Sequence, residues 1–163
     1  MSLRTVRLWI AVLGAAFQVT ANDNPFDRRT LRGLTAFNVV VDTPERELQD
    51  RGLSVAAVET EFEQRLVKAG LRVDKNASEF LGIRIIGAHG KKTDFALCVM
   101  LAVYQAVALK RDPTIASATP TWSVESVLLI PPRQFKEAWT DTIDHLVGEF
   151  VIAWQAANAE GAK

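Results

Sequence analysis

Few side chains of this 163-residue sequence could do chemistry, and the most regular set comprises Asp141, His145 and Glu149. These residues follow each other at intervals of four, so on a helix they would line one ridge. An Asp-His-Glu ridge could bind a divalent metal ion. Polar pairs at this spacing also stabilise exposed helices, and Asp141 would lie away from the apolar stripe of its helix. The solvated ridge is the favoured interpretation, and the sequence predicts no metal site.

The other candidates for catalysis are His89, Cys98 and Glu125. His89 is predicted to be solvated at a hairpin tip. A reactive thiol needs a pKa lowered by a helix N-terminus or by cationic neighbours. Cys98 lies instead between apolar residues of a predicted strand, which favours an inert thiol. Glu125 interrupts an apolar strand, but it is expected to face solvent. The glycines form no phosphate-binding loop, so we predict no catalytic residue and no cofactor.

The N-terminal residues have the pattern of a secretory signal peptide. Arg4 and Arg7 precede the apolar run Leu8–Val19, and Val19-Thr20-Ala21 fits the small-x-small pattern before a cleavage site. The run is too short for the roughly 20 residues that span a bilayer. We therefore predict cleavage of residues 1–21, no stable membrane span afterwards and an extracytoplasmic, periplasmic location. An uncleaved N-terminal anchor is the alternative.

Composition predicts a single domain held together by its hydrophobic core. Hydrophobic residues make up 48% of the chain, and its single cysteine cannot form an internal disulfide. The 19 basic residues balance the 19 acidic ones, so the charge pattern predicts no nucleic-acid partner. We expect a flexible leader over 22–32, one α+β domain over 33–157 and a disordered tail over 158–163.

Hydrophobic periodicity predicts the element order β-α-β-β-β-β-α. A helix should begin after the N-cap Ser54 and end at Gly70. The Asp112-Pro113 pair is expected to turn the chain. The remaining predicted elements are strands over 34–41, 71–73, 81–88, 95–109 and 121–130 and a last helix over 133–157. Together they predict a two-layer α+β sandwich, with one mainly antiparallel sheet of four to five strands and two helices on one face.

Two stretches resemble a family of small exported bacterial α+β proteins of unknown function. They are LRGLTAFNVVVDTPERELQDRGLSVAAVETEFEQRLVKAGLRV (31–73) and PTWSVESVLL (120–129). The shared motifs are a strand, a "GLS" helix opening, an "LVKAGLRV"-like exit from helix to strand, and a Trp-Ser strand. The resemblance implies a bacterial envelope origin and no particular activity or catalytic residue.

The predicted strand 95–109 has an unusual second face. One set of alternate residues, from Phe95 to Val103, is large and branched and should meet the helices. The other set should face water and be polar in a two-layer fold, yet it is almost free of polar groups. We call its central members the candidate partner face: Ala96, Cys98, Met100, Ala102 and Tyr104. It could be an interface, a surface covered by the leader or a loop, or an exposed face of small residues.

The favoured function is therefore an exported envelope protein that binds or assembles through contacts with protein or a small apolar ligand. The expected partner is a second copy or another envelope protein. The principal alternative is an exported hydrolase-type enzyme whose site is built from distant carboxylates. A deep pocket with acids near Glu125 would favour the enzyme. A third possibility is a structural subunit held at the membrane by an uncut N-terminus.

Overall fold

A five-stranded mixed sheet is the centre of the fold. The computed structural model describes residues 24–89 and 95–159. The strands are β1 (Ala36–Val41), β2 (Arg72–Val73), β3 (Phe80–His89), β4 (Phe95–Leu109) and β5 (Asp112–Ile130). They lie in the order β2-β1-β3-β4-β5. β1 is parallel to β2 and β3, whereas β3-β4 and β4-β5 are antiparallel. The predicted two-layer α+β sandwich is confirmed.

Two long helices pack on one side of this sheet. The helices of the described residues are α1 (Pro25–Arg28), α2 (Arg46–Asp50), α3 (Val55–Lys68) and α4 (Phe135–Ala159), with 3-10 turns over Arg29–Leu31 and Pro132–Gln134. The Ser54 hydroxyl accepts a hydrogen bond from the Ala57 amide at 3.3 Å and caps α3. Gly70, at φ 84°, ends the helix in the left-handed conformation that glycine adopts without strain. Both predicted ends of α3 are therefore confirmed.

The core lies between the helices and one face of the sheet. Every large residue of β4 predicted to face the helices, from Phe95 to Val103, is at most 2% exposed. Phe150 of α4 is fully buried and lies edge-on to Phe37 of β1, with ring centroids 5.2 Å apart. Its ring centroid also lies 5.4 Å from that of Trp122 of β5. One aromatic ring of the last helix thus contacts β1 and β5, the two strands that flank the β3-β4 pair.

The N-terminal segment differs from the predicted flexible leader. Residues 25–31 form two short helical turns, and Leu31 is fully buried. Asn158 accepts a hydrogen bond from the Gly33 amide and donates to the Leu31 carbonyl oxygen. Because these contacts tie the start of the fold to the end of α4, the packed domain begins before residue 33 and includes Asn158. The predicted signal peptide lies outside the described residues.

The hairpin of β4 and β5 is longer than the pattern predicts. Asp112 and Pro113 belong to β5, and the chain reverses at Lys110-Arg111. Two prolines in the first half of β5 argue against a strand in the sequence. An edge strand tolerates proline because one side of its backbone needs no partner. Residues 87–89, expected in a turn, are the last paired residues of β3. Pairing with β4 therefore extends β3 and β5 beyond the residues that their own sequences predict to be strand.

Candidate functional site

The side of the sheet opposite the long helices carries the candidate partner face. Alternate residues of β3 and β5 lie beside the alternate residues of β4 on this side. We call the combined surface the open face, and its central residues are Val40, Phe80, Gly82, Arg84, Ile86, Ala96, Cys98, Met100, Ala102, Tyr104, Ser123, Glu125, Val127 and Leu129. The described part of the N-terminal segment packs against α4 and β5, and its Leu31 is buried in the core on the helix side of the sheet. Within the described residues, the leader therefore does not cover the open face.

One end of the open face is a continuous apolar surface. Cys98 pairs with Ile86 on one side and with Val127 on the other, so the three residues form a row across three strands. Leu129 pairs with Ala96 in the next row. Ile86 is 51% exposed, Val127 is 48% exposed and Leu129 is 69% exposed. Large apolar side chains collected in one exposed patch are typical of an interaction surface.

Ala102 differs from the other members of the candidate partner face. It is fully buried, although its neighbours Cys98, Met100 and Tyr104 are partly exposed. Across the strands, Ala102 pairs with Gly82 and Ser123. A single methyl group in a row of small residues cannot rise above its larger neighbours. Ala102 therefore belongs to the floor of the open face and cannot itself contact a partner, whereas the other four residues can.

A charged row crosses the middle of the open face. Met100 lies between Arg84 on β3 and Glu125 on β5. The Arg84 Nε atom donates to an Asp42 oxygen at 2.8 Å, and this ion pair raises the pKa of Arg84. Glu125 belongs to β5, three strands away from β1, and Asp42 directly follows β1. At a spacing of about 4.8 Å per strand, the two backbones are roughly 14 Å apart, and the Asp42 carboxylate is paired with Arg84. This geometry does not favour a carboxylate pair at Glu125.

Cys98 has the properties of an unreactive thiol. Partial burial, and then the nearby Glu125 carboxylate, raise the pKa of Cys98. A thiol with a raised pKa is a poorer nucleophile at neutral pH because less of it is thiolate. The position agrees with a small contact residue on the open face.

The remaining chemistry-bearing candidates are the residues of the Asp141-His145-Glu149 ridge and the buried Ser126 side chain. Within residues 24–89 and 95–159, no three side chains of the metal-binding types cluster closely enough to hold an ion. Asp141, His145 and Glu149 thus do not form such a group. Ser126 Oγ and His145 Nε2 are both buried, but neither has a hydrogen-bond partner in the described part of the chain. A serine nucleophile needs a hydrogen-bonded base, so this geometry provides no Ser-His pair.

Sequence reasoning did not find the most exposed apolar members of the site, Ile86, Val127 and Leu129. Each belongs to a strand that carries a charged residue on the same face, Arg84 in β3 and Glu125 in β5, so alternation from that residue indicates the solvent side. A second signal is the alternation of β4, because register transfers its two faces to both neighbours. Pairing Cys98 with Ile86 on β3 and with Val127 on β5 places all three residues on one side of the sheet.

Comparison with known proteins finds only weak similarity. No protein-family model matches the chain, and no curated protein matches it. One similar solved structure is a PelC dodecamer from Paraburkholderia phytofirmans, with a TM-score of 0.46 and 14% identity over 86% of this chain and 97% of that chain. A minor lipoprotein from Acinetobacter baumannii has a TM-score of 0.34 and 13% identity over 76% of this chain and 92% of that chain. Similarity at this level carries no argument about what this chain does.

The longest of the described helices is α4. None of those in residues 24–89 and 95–159 combines the length and hydrophobicity that crossing a bilayer requires.

Proposed function

We propose that this chain is an exported protein of the bacterial envelope that binds or assembles with another protein through its open face. The observation that carries the proposal is the exposed row of Ile86, Cys98 and Val127 with Leu129 beside it. Burial of these side chains by a partner would be favourable by about 25 cal/mol per Å² of apolar surface. The export signal and the family resemblance support an envelope location.

The single cysteine allows a direct test of docking. Cys98 is partly exposed although its thiol is not activated, so we expect it to react slowly with a small maleimide near pH 8 in the purified monomer. In intact envelopes we expect it to be protected, because a docked partner would cover the row around it. The natural chain needs no engineered cysteine, since Cys98 is its only cysteine. A matched control carries Cys98→Ser and Glu137→Cys, which places a thiol at an exposed position of α4. The control should react equally in both settings.

Two further results separate the possible partners. Protection that appears in the purified protein as its concentration rises would identify a second copy as the partner. Protection found only in envelopes would indicate a different protein. The Leu129→Asp variant should restore labelling of Cys98 in envelopes, because a carboxylate would be buried unpaired at the contact. Equal reactivity of Cys98 in envelopes and in the purified monomer would contradict docking on the open face.

Export is tested separately by sequencing the N-terminus of the protein recovered from the envelope fraction. We expect a start at Asn22, which would also reject an uncut membrane anchor. A chain recovered with residues 1–21 intact would contradict cleavage. The two tests are independent, because docking does not depend on the exact route of export.

A further inference from the structure

A small cavity opens at the other end of the open face, away from the apolar row. Its volume is about 320 Å³, and Val40, Gly82, Met100 and Tyr104 are among the residues that line it. This volume is at the lower end of the range of about 300–1,000 Å³ typical of small-molecule sites. The open face therefore combines a flat apolar surface with a separate concave site.

The aromatic wall of the cavity is held in place from two sides. The rings of Tyr104 and Phe80 are stacked, with centroids 4.8 Å apart and planes inclined by 3°. Tyr104 also lies directly on Gly82, because a Cβ atom there would be only 2.6 Å from the Cε2 atom of the ring. The missing side chain at Gly82 thus allows the ring to lie down on the sheet. A ring held in this way loses little freedom when a ligand binds.

Polar groups stand at one side of the same cavity. Arg84 and Asp42 both line it, and their side chains are 54% and 56% exposed. The ion pair uses the Nε atom of Arg84. Within the described part of the chain, no hydrogen bond occupies the two terminal nitrogens of this guanidinium. They can therefore donate to a ligand while the contact with Asp42 persists.

We infer that this cavity binds a small apolar carboxylate, such as an aryl or medium-chain alkyl carboxylate. Its apolar part lies against Val40, Met100 and the ring of Tyr104. Its carboxylate accepts hydrogen bonds from the terminal nitrogens of Arg84, whose planar guanidinium matches the geometry of a carboxylate. The inference does not depend on protein docking at the apolar row, which involves other residues.

The unique tyrosine provides the assay. Tyr104 is the only tyrosine of the chain, so the full protein labelled with 3-fluorotyrosine gives one ¹⁹F resonance, and it reports on the cavity. The ligands are 3-phenylpropionate and octanoate, each compared with its primary amide. We expect a saturable shift with the carboxylates and about tenfold weaker binding of the amides, because hydrogen bonds to charged groups are the stronger ones. Equal affinity of acid and amide would overturn the inference.

Three variants locate the carboxylate. Arg84→Gln should weaken carboxylate binding about tenfold, whereas Asp42→Asn should leave it equal or tighter because it removes a competing anion. Arg72→Gln is the matched control: Arg72 is also exposed and paired, with Asp74 at 2.8 Å, but it does not line the cavity. Unchanged binding in Arg84→Gln would reject the site, as would the absence of any shift at about 10 mM ligand, a concentration that detects even millimolar affinity.

Discussion

Substitution of Phe150 tests how α4 is held on the sheet. The ring is fully buried between Phe37 and Trp122. Phe150→Ala removes this ring from a closely packed region, and such a change typically costs about 3–5 kcal/mol of unfolding free energy. Native domains have only about 5–15 kcal/mol in total. The variant should therefore unfold at a much lower urea concentration, or be unfolded without urea if the domain is at the lower end of that range.

A conservative variant separates the stabilisation that comes from aromatic contacts from the stabilisation that comes from filling the core volume. Phe150→Leu retains most of the apolar volume but loses both aromatic pairs, which are worth about 0.5–1.5 kcal/mol each. We expect a loss of roughly 1–3 kcal/mol in urea unfolding followed by far-UV circular dichroism. Leu129→Ala is the control, because the side chain is 69% exposed and surface changes usually stay within about 0.5 kcal/mol. A cost below about 1 kcal/mol for Phe150→Ala would refute the proposed packing role.

Three further measurements test individual contacts. A Cβ atom at Gly148, in the interior of α4, would meet nothing within 4 Å, so Gly148→Ala should raise the unfolding free energy by about 1 kcal/mol through helix propensity; a lower urea midpoint would contradict this. Because Glu125 contributes to the raised pKa of Cys98, Glu125→Gln should lower that pKa, increase the thiolate fraction near pH 8 and accelerate alkylation, whereas an unchanged pH profile would remove Glu125 as a cause. The indole nitrogen of Trp139 donates to Glu61 at 3.1 Å, so Trp139→Phe should cost about 1 kcal/mol and Glu61→Gln, which keeps an acceptor, should cost less in the same urea assay.

Local signals were sufficient for several elements. Ser54 and Gly70 mark the ends of α3 because capping and left-handed conformation depend on the residue itself. The alternation of β4 over 95–109 and the apolar stripe of α4 likewise predict which side chains are buried. In these segments, the preference of each residue agrees with its final environment.

Other elements depended on distant contacts. The one-turn helix α2 is too short to show a period, and its Leu48 is nevertheless fully buried. The first half of β5 contains two prolines and becomes a strand because the long β4 pairs with it as far as Leu109. The leader is ordered over 25–31 because Leu31 enters the core beside the end of α4. None of these partners is close in sequence.

The candidate site divides in the same way. The sequence by itself determined that one face of β4 is apolar without being needed for the core, since alternation along a strand is a local property. The structure confirms that both long helices lie on the other side, as the sequence predicts. Tertiary structure decided that Ala102 is covered and that Ile86 and Val127 join Cys98 in one exposed row. It also decided that Tyr104 lies on Gly82 and borders a cavity beside Arg84. These features depend on strand register, which is set by the packing of the whole sheet rather than by any one strand.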